Sequence, residues 1–123
     1  MPSEPKIAYR DLFRGSLDVL VLSVLADGRQ YGYAIQKQIR LLTGQPLQPG
    51  TLYPLLHRLE SDGLVESTVD HSSARQRKWY ALTDRGRATL RRSAAEWQAA
   101  IARMQALVLP AVRRVAAKRD HRP

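Results

Sequence analysis

Leu52, Leu55, Leu56 and Leu59 stand at i, i+3, i+4 and i+7, and Asp62-Gly63 then stops the pattern. Such a stripe makes one buried face of an amphipathic helix. The period then changes at once. Leu64-Val65-Glu66-Ser67-Thr68-Val69 alternates loosely and is β-prone, and Arg77–Leu82 carries Trp79, Tyr80 and Leu82 as a second strand. Between them DHSSARQ, residues 70–76, is polar and turn-like, so the two strands are predicted to form a hairpin.

Two further helices precede this pair. Gly15-Ser16 offers a start, with Ser16 as N-cap. Leu17, Leu20, Val21, Val24 and Leu25 then follow at helical spacing up to Asp27-Gly28. A second helix is predicted over Tyr31–Thr43, with Ile35, Gln38, Ile39 and Leu42 on one face and Lys37 and Arg40 elsewhere. The link after Gly44 is short and contains Pro46, so the next helix must turn sharply, and Leu47 is expected to make a brief strand contact. Residues 1–15 read as a lead-in with a short helix around Ile7–Phe13.

Thr83 is placed to cap a long helix. Leu90, Ala94, Trp97, Ile101, Met104 and Val108 follow at spacings of 4, 3, 4, 3 and 4, a heptad seam expected to run until Pro110, after which residues 111–123 could continue as a short basic helix that frays. The division expected is a lead-in at 1–15, a winged helix-turn-helix at 16–82, a dimerisation helix at 83–109 and a basic tail at 110–123. The fold class is mainly α with a β-hairpin. A small domain leaves nothing to cover the seam, so a second copy of the chain is the simplest cover.

The second helix of a helix-turn-helix pair enters the major groove with its N-terminal residues near base edges. Here that segment is PGTLYPLLHRLESDG, from Pro49. Proline is tolerated in a first turn, which suits Pro49. Pro54 suits a first turn if Thr51 is the cap; otherwise the helix bends slightly and the missing bond falls on Gly50. In either case Gly50 and Thr51 are expected to offer free amides to a phosphate. Thr51 and Tyr53 add hydroxyls, and Thr51, Pro54, His57, Arg58 and Ser61 make the face opposite the leucines, with Arg58 able to reach guanine. Each has a plainer role too: Thr51 a cap, Tyr53 a surface aromatic, Arg58 a solvated charge. The order of elements favours DNA. On the wing, Arg75, Arg77 and Lys78 stand at or beside the hairpin tip, where cations touch phosphate or enter a minor groove.

The charge distribution adds less than its total suggests. The net charge is +9, of which residues 81–123 hold +7 and residues 49–80 hold none. A basic chain suits nucleic acid or an anionic surface. Arg113, Arg114, Lys118 and Arg119 admit such a surface role, or simply a solvated tail. There is no cysteine, which removes disulfides, thiolate metal sites and thiol nucleophiles, and which fits a cytoplasmic location. The longest apolar run, residues 17–26, is broken by Asp18 and too short to span a bilayer, and the N-terminus lacks a signal-peptide h-region. His57, His71 and His121 share no metal spacing, the acids do not cluster, and no phosphate-binding glycine loop is present. Neither an enzyme nor a cofactor is expected.

Three stretches resemble the PadR family of bacterial transcriptional regulators: GSLDVLVLSVLADGRQYGYAIQKQI, PGTLYPLLHRLESDGLVES and RQRKWYALTDRGR. The resemblance runs from about Leu12 to Leu109. Its most specific part is Gly50 to Pro54, Arg58 to Glu60 and Gly63-Leu64; Arg77 to Tyr80, Leu82-Thr83 and Gly86 support it. Trp79, where the family usually has tyrosine, and the glycine-free wing tip HSSARQ depart from the pattern. The resemblance implies a homodimeric winged-helix repressor acting on a pseudo-palindromic operator of its own or a neighbouring operon. It implies Thr51 and Tyr53 as DNA contacts and Arg77 and Lys78 as wing contacts. The single long C-terminal helix is similar to the short-tailed branch of the family, in which some members take planar aromatic ligands between subunits. Trp97 would then stack a flat hydrophobic effector, with Ile101 and Met104 as neighbours. Two other classes carry the same features: a nonspecific architectural DNA binder and a winged-helix module for protein contact.

Overall fold

The computed structural model describes residues 9–72 and 74–120. The lead-in up to Ala8, Ser73 at the wing tip, and the last three residues, His121 among them, lie outside the described residues. The elements in chain order are α1 (Tyr9–Gly15), α2 (Leu17–Val24), a 3-10 turn (Leu25–Asp27), β1 (Gln30–Tyr31), α3 (Gly32–Thr43), α4 (Pro49–Ser61), β2 (Val65–Asp70), β3 (Arg77–Leu82) and α5 (Asp84–Asp120). Two compact units divide the chain, Met1–Leu90 and Arg91–Pro123.

The first unit has one core. Val21, Leu22 and Leu25 from α2 and its turn meet Ile35 and Ile39 of α3 and the four leucines of α4. Val65, Tyr80 and Leu82 close it from the sheet, and Phe13 of α1 and Leu47 of the α3–α4 link complete it. The leucine stripe of α4 is fully inside: Leu52 is 0% exposed and Leu59 1%. Burying such side chains contributes roughly 1.5–3 kcal/mol each, so this stripe alone largely fixes which way α4 faces.

The wing is the predicted hairpin plus one strand. β2 and β3 pair antiparallel from Val65 opposite Leu82 to Asp70 opposite Arg77. β1 pairs with the other edge of β3, Gln30 opposite Tyr80 and Tyr31 opposite Trp79, giving the order β1-β3-β2. A two-residue strand has no period to read, so only its partner reveals it. Because Tyr31 belongs to β1, α3 starts one residue later than expected, at Gly32.

Other local expectations change for identifiable reasons. Ser16 sits at the N-cap of α2, but its side chain makes no cap bond to the helix. Leu42 was expected on the core face of α3 and is 80% exposed. It lies in the last turn before Gly44, whose left-handed φ of 73° ends the helix, at the rim of a shallow hollow shared with Leu20 and Val24. Leu47 is buried without a strand; its carbonyl instead accepts from Gln36 Nε2 at 2.8 Å. Helix α5 passes through Pro110 to Asp120, so the helix allowed in the tail is a continuation of α5 and not a separate one. Proline removes one amide donor, the partner of the Ala106 carbonyl, and the helix on both sides tolerates that single loss.

Thr83 caps α5 as expected: the Gly86 amide donates to its Oγ1 at 3.0 Å, while Oγ1 itself donates to the Gly63 carbonyl at 2.6 Å. The same crossing brings Gly86 against the backbone at Leu64, where a Cβ would lie 1.9 Å from the carbonyl oxygen.

Candidate nucleic-acid interface

Helix α4 begins with Gln48 as N-cap and Pro49 in its first turn. Thr51 is therefore inside the helix, and Pro54 is an interior proline. Of the two earlier alternatives the second holds, and the carbonyl without its usual donor is that of Gly50. The Thr51 amide donates to the Gln48 carbonyl at 3.0 Å, so it is not free for a phosphate as expected. Gly50 itself is exposed, with open space where a side chain would be.

Thr51, Tyr53, Pro54, His57 and Arg58 are all exposed on the face away from the leucines. They differ in what holds them. Arg58 donates to both carboxylate oxygens of Asp18 on α2, at 2.9 and 3.1 Å. Tyr53 lies back across the start of α3, against Gly32. On the wing, Arg75, Arg77 and Lys78 are exposed, the last two at the start of β3 opposite Asp70 and Val69.

One cleft of about 620 Å³ joins Tyr53 to the three wing cations. Its lining also includes Tyr31, Tyr33 and Tyr80 and, among the described residues, no carboxylate. Thr51, Pro54, His57 and Arg58 do not line it; they continue along α4 outside the cleft. Sequence reasoning missed Tyr31 and Tyr33 because neither belongs to the α4 face or the wing by chain position.

The wing is braced by rings and guanidinium groups. Trp79 stacks on Tyr31 with centroids 3.8 Å apart, and Arg29 lies over the Trp79 ring with its Cζ 4.3 Å from the centroid. Arg77 faces Tyr31 at 5.2 Å and Tyr33 at 5.8 Å. Such cation–π contacts orient a guanidinium as well as holding it. The Tyr31 hydroxyl donates to the Asp70 carboxylate. Asp70 also accepts from Ser72, from the amide at 2.9 Å and the hydroxyl at 2.6 Å. These donors, the Ser72 hydroxyl first and Tyr31 next, hold the Asp70 carboxyl down to about 2. The bond to Asp70 in turn pushes the Tyr31 phenol up. Within β2, Ser67 donates from its amide and hydroxyl to Glu60 of α4, which ties α4 to the wing.

Helix α5 presents its apolar seam openly: Trp97, Met104 and Val108 are exposed, and Ala94 and Ile101 half-buried. Leu90 packs against the core of the first unit. Among the described residues no helix is long and apolar enough to cross a membrane.

The Transcriptional regulator PadR-like family model matches residues 21–92. A transcriptional regulator of Mycobacterium tuberculosis is 37% identical over 81 residues, 66% of this chain and 75% of that protein. A PadR family transcriptional regulator from Eggerthella lenta has a crystal structure similar to this one, with a TM-score of 0.74 at 40% identity, covering 80% of this chain and 87% of that one. A transcriptional regulator from Clostridium thermocellum gives a TM-score of 0.75 at 30% identity over 83% of this chain and 99% of its own. The chain belongs to the PadR-like family of transcriptional regulators, with the family's winged-helix fold and a long C-terminal helix. Its class is that of a DNA-binding regulator and not an enzyme.

Proposed function

We propose that the protein is a sequence-specific repressor that binds a pseudo-palindromic operator of its own or a neighbouring operon as a homodimer in the cytoplasm. The single observation that carries the DNA reading is the cleft lined both by Tyr53 of α4 and by Arg75, Arg77 and Lys78 of the wing, with no carboxylate in its lining among the described residues. A phosphodiester strand suits that lining: hydroxyls and cations contact phosphate oxygens and fix register. α4 then enters the major groove with Gly50, Thr51, Pro54 and His57 towards the duplex, and Arg58 at the edge of that face.

The homodimer reading rests on the seam of α5. Leu90, Ala94, Trp97, Ile101, Met104 and Val108 keep a 3.5-residue period, which a second copy covers best. Between two such helices, paired Trp97 rings with Ile101 and Met104 suit a flat aromatic or hydrophobic effector. The effector acts if it prefers one spacing of the two recognition helices.

The exposed cations Arg113, Arg114 and Lys118 favour a second reading, a nonspecific architectural DNA binder. Fluorescence anisotropy on the protein's own upstream DNA and on a scrambled duplex, titrated with salt, separates the two. A specific repressor shows a gap of about a thousandfold or more between the duplexes. Equal, salt-sensitive affinity for both supports the architectural reading. Tyr53→Ala should weaken the specific complex and leave the fold intact; unchanged affinity counts against the cleft.

A further inference from the structure

Gly32 opens α3, is buried, and carries no side chain in a helical turn where alanine is the better helix former. Its backbone does not require glycine. Among the described residues the positive-φ glycines are Gly28, Gly44 and Gly63, and Gly32 is not one of them. What fills the space of the absent side chain is Tyr53. A Cβ on Gly32 would stand 2.5 Å from the Tyr53 hydroxyl oxygen, 2.8 Å from Cε1 and 2.9 Å from Cζ. All three distances fall inside van der Waals contact.

We propose that Gly32 is a positioning residue for DNA binding: its bare Cα seats the Tyr53 ring and so holds Tyr53 in the cleft that Arg75, Arg77 and Lys78 also line. The inference rests on the reading of Tyr53 as a DNA contact and adds what sets its place. Tyr53 is 43% exposed, so its ring has somewhere to go. A methyl group on Gly32 therefore does not burst the core. It turns the ring to another staggered rotamer, and the hydroxyl leaves its position against Gly32 in the cleft. A register-fixing contact is lost while the fold stays.

The test uses the full chain in four forms: wild type, Gly32→Ala, Tyr53→Ala and the double variant. Each is measured by anisotropy on the upstream duplex and by thermal melting. Gly32→Ala is expected to fold and to bind roughly tenfold more weakly, the scale of one lost charge-assisted contact. Added to Tyr53→Ala, the same substitution should change affinity by less than about twofold, because the two residues act through one contact. The melting temperature supplies a readout that involves no DNA. Gly32→Ala should lower it or leave it unchanged when Tyr53 is present, and raise it when Tyr53 is alanine, since helix propensity alone then remains.

Wild-type affinity in Gly32→Ala overturns the proposal, as does an equal loss in both backgrounds. A Gly32→Ala protein that fails to fold while the double variant folds also overturns it, because the contact is then structural and not positional. Wild-type affinity in Tyr53→Ala alone fails at the earlier step, the reading of Tyr53 as a contact, and is recognised by that variant by itself.

Discussion

The Arg58 guanidinium donates from one nitrogen, Nη2, to both carboxylate oxygens of Asp18, at 2.9 and 3.1 Å, and so ties α4 to α2. Both side chains are more than half exposed. The pair therefore does little for stability, and its main effect is on charge: a cation beside the proposed DNA face is turned towards a carboxylate.

Asp18→Ala should accordingly lower stability by less than about 1 kcal/mol and strengthen DNA binding severalfold, because Arg58 is released and a nearby negative charge is gone. Thermal melting and anisotropy on the upstream duplex check the two parts. Weaker binding in this variant would show that the ion pair orients α4 instead of restraining Arg58.

The Asp70 carboxyl supplies a pH dependence. Its ordinary value is 3.8, and the Ser72 hydroxyl and the Tyr31 phenol hold it at about 2 in the folded protein. A depressed acid stabilises the fold above its unfolded value and loses that contribution as pH falls towards the folded one. The wing should therefore loosen between about pH 4 and pH 2. Tyr31→Phe removes one donor and should move the Asp70 titration, followed by carboxyl NMR, upwards. An unmoved titration would mean that Ser72 alone sets it. Tyr31 works in the opposite direction: its phenol is raised by Asp70, so its contribution persists below about pH 10 and is lost above.

Gly86→Ala should be far more damaging than Gly32→Ala. The new Cβ would stand 1.9 Å from the Leu64 carbonyl oxygen and 2.9 Å from its carbon. Those atoms are backbone immediately before β2, and the Leu64 carbonyl already accepts from the Thr83 amide at 3.1 Å. Neither side can turn aside as Tyr53 can. A loss on the order of 3 kcal/mol or more is expected, in the range reserved for strain and overpacking, read by chemical denaturation. A variant of wild-type stability would place α5 differently against the sheet.

The seam of α5 should reach beyond Pro110. After Val108 the same alternation of three and four continues to Ala111 and Val115. Leu107, Val108, Ala111, Val112 and Val115 line one apolar hollow on that stretch. If a second copy covers the whole seam, Ile101→Glu and Val115→Glu should both dissociate the dimer in sedimentation velocity. Dissociation by Ile101→Glu alone would end the interface at Pro110, and a dimer that survives both would remove the seam altogether.

Local periodicity settled a large part of this protein before any contact was known. Leu52, Leu55, Leu56 and Leu59 point one way on any α-helix, and the loosely alternating Leu64–Val69 suits an exposed strand, so the helix, the hairpin and the leucine core follow from spacing. The cap of Thr83 on α5 is local in the same sense, since donor and acceptor are three residues apart. The proline problem in α4 shows the limit. Whether Pro54 is in a first turn or an interior one depends on where the helix begins, and the chain before it, packed through Leu47, starts that helix at Pro49. Tertiary structure alone decided what joins residues far apart in sequence. It paired the two-residue β1 with β3, turned Arg58 towards Asp18, left Leu42 outside and laid Tyr53 over Gly32. Each of these depends on which surfaces meet when the helices pack, and a one-dimensional pattern records only the direction in which a side chain leaves its own element.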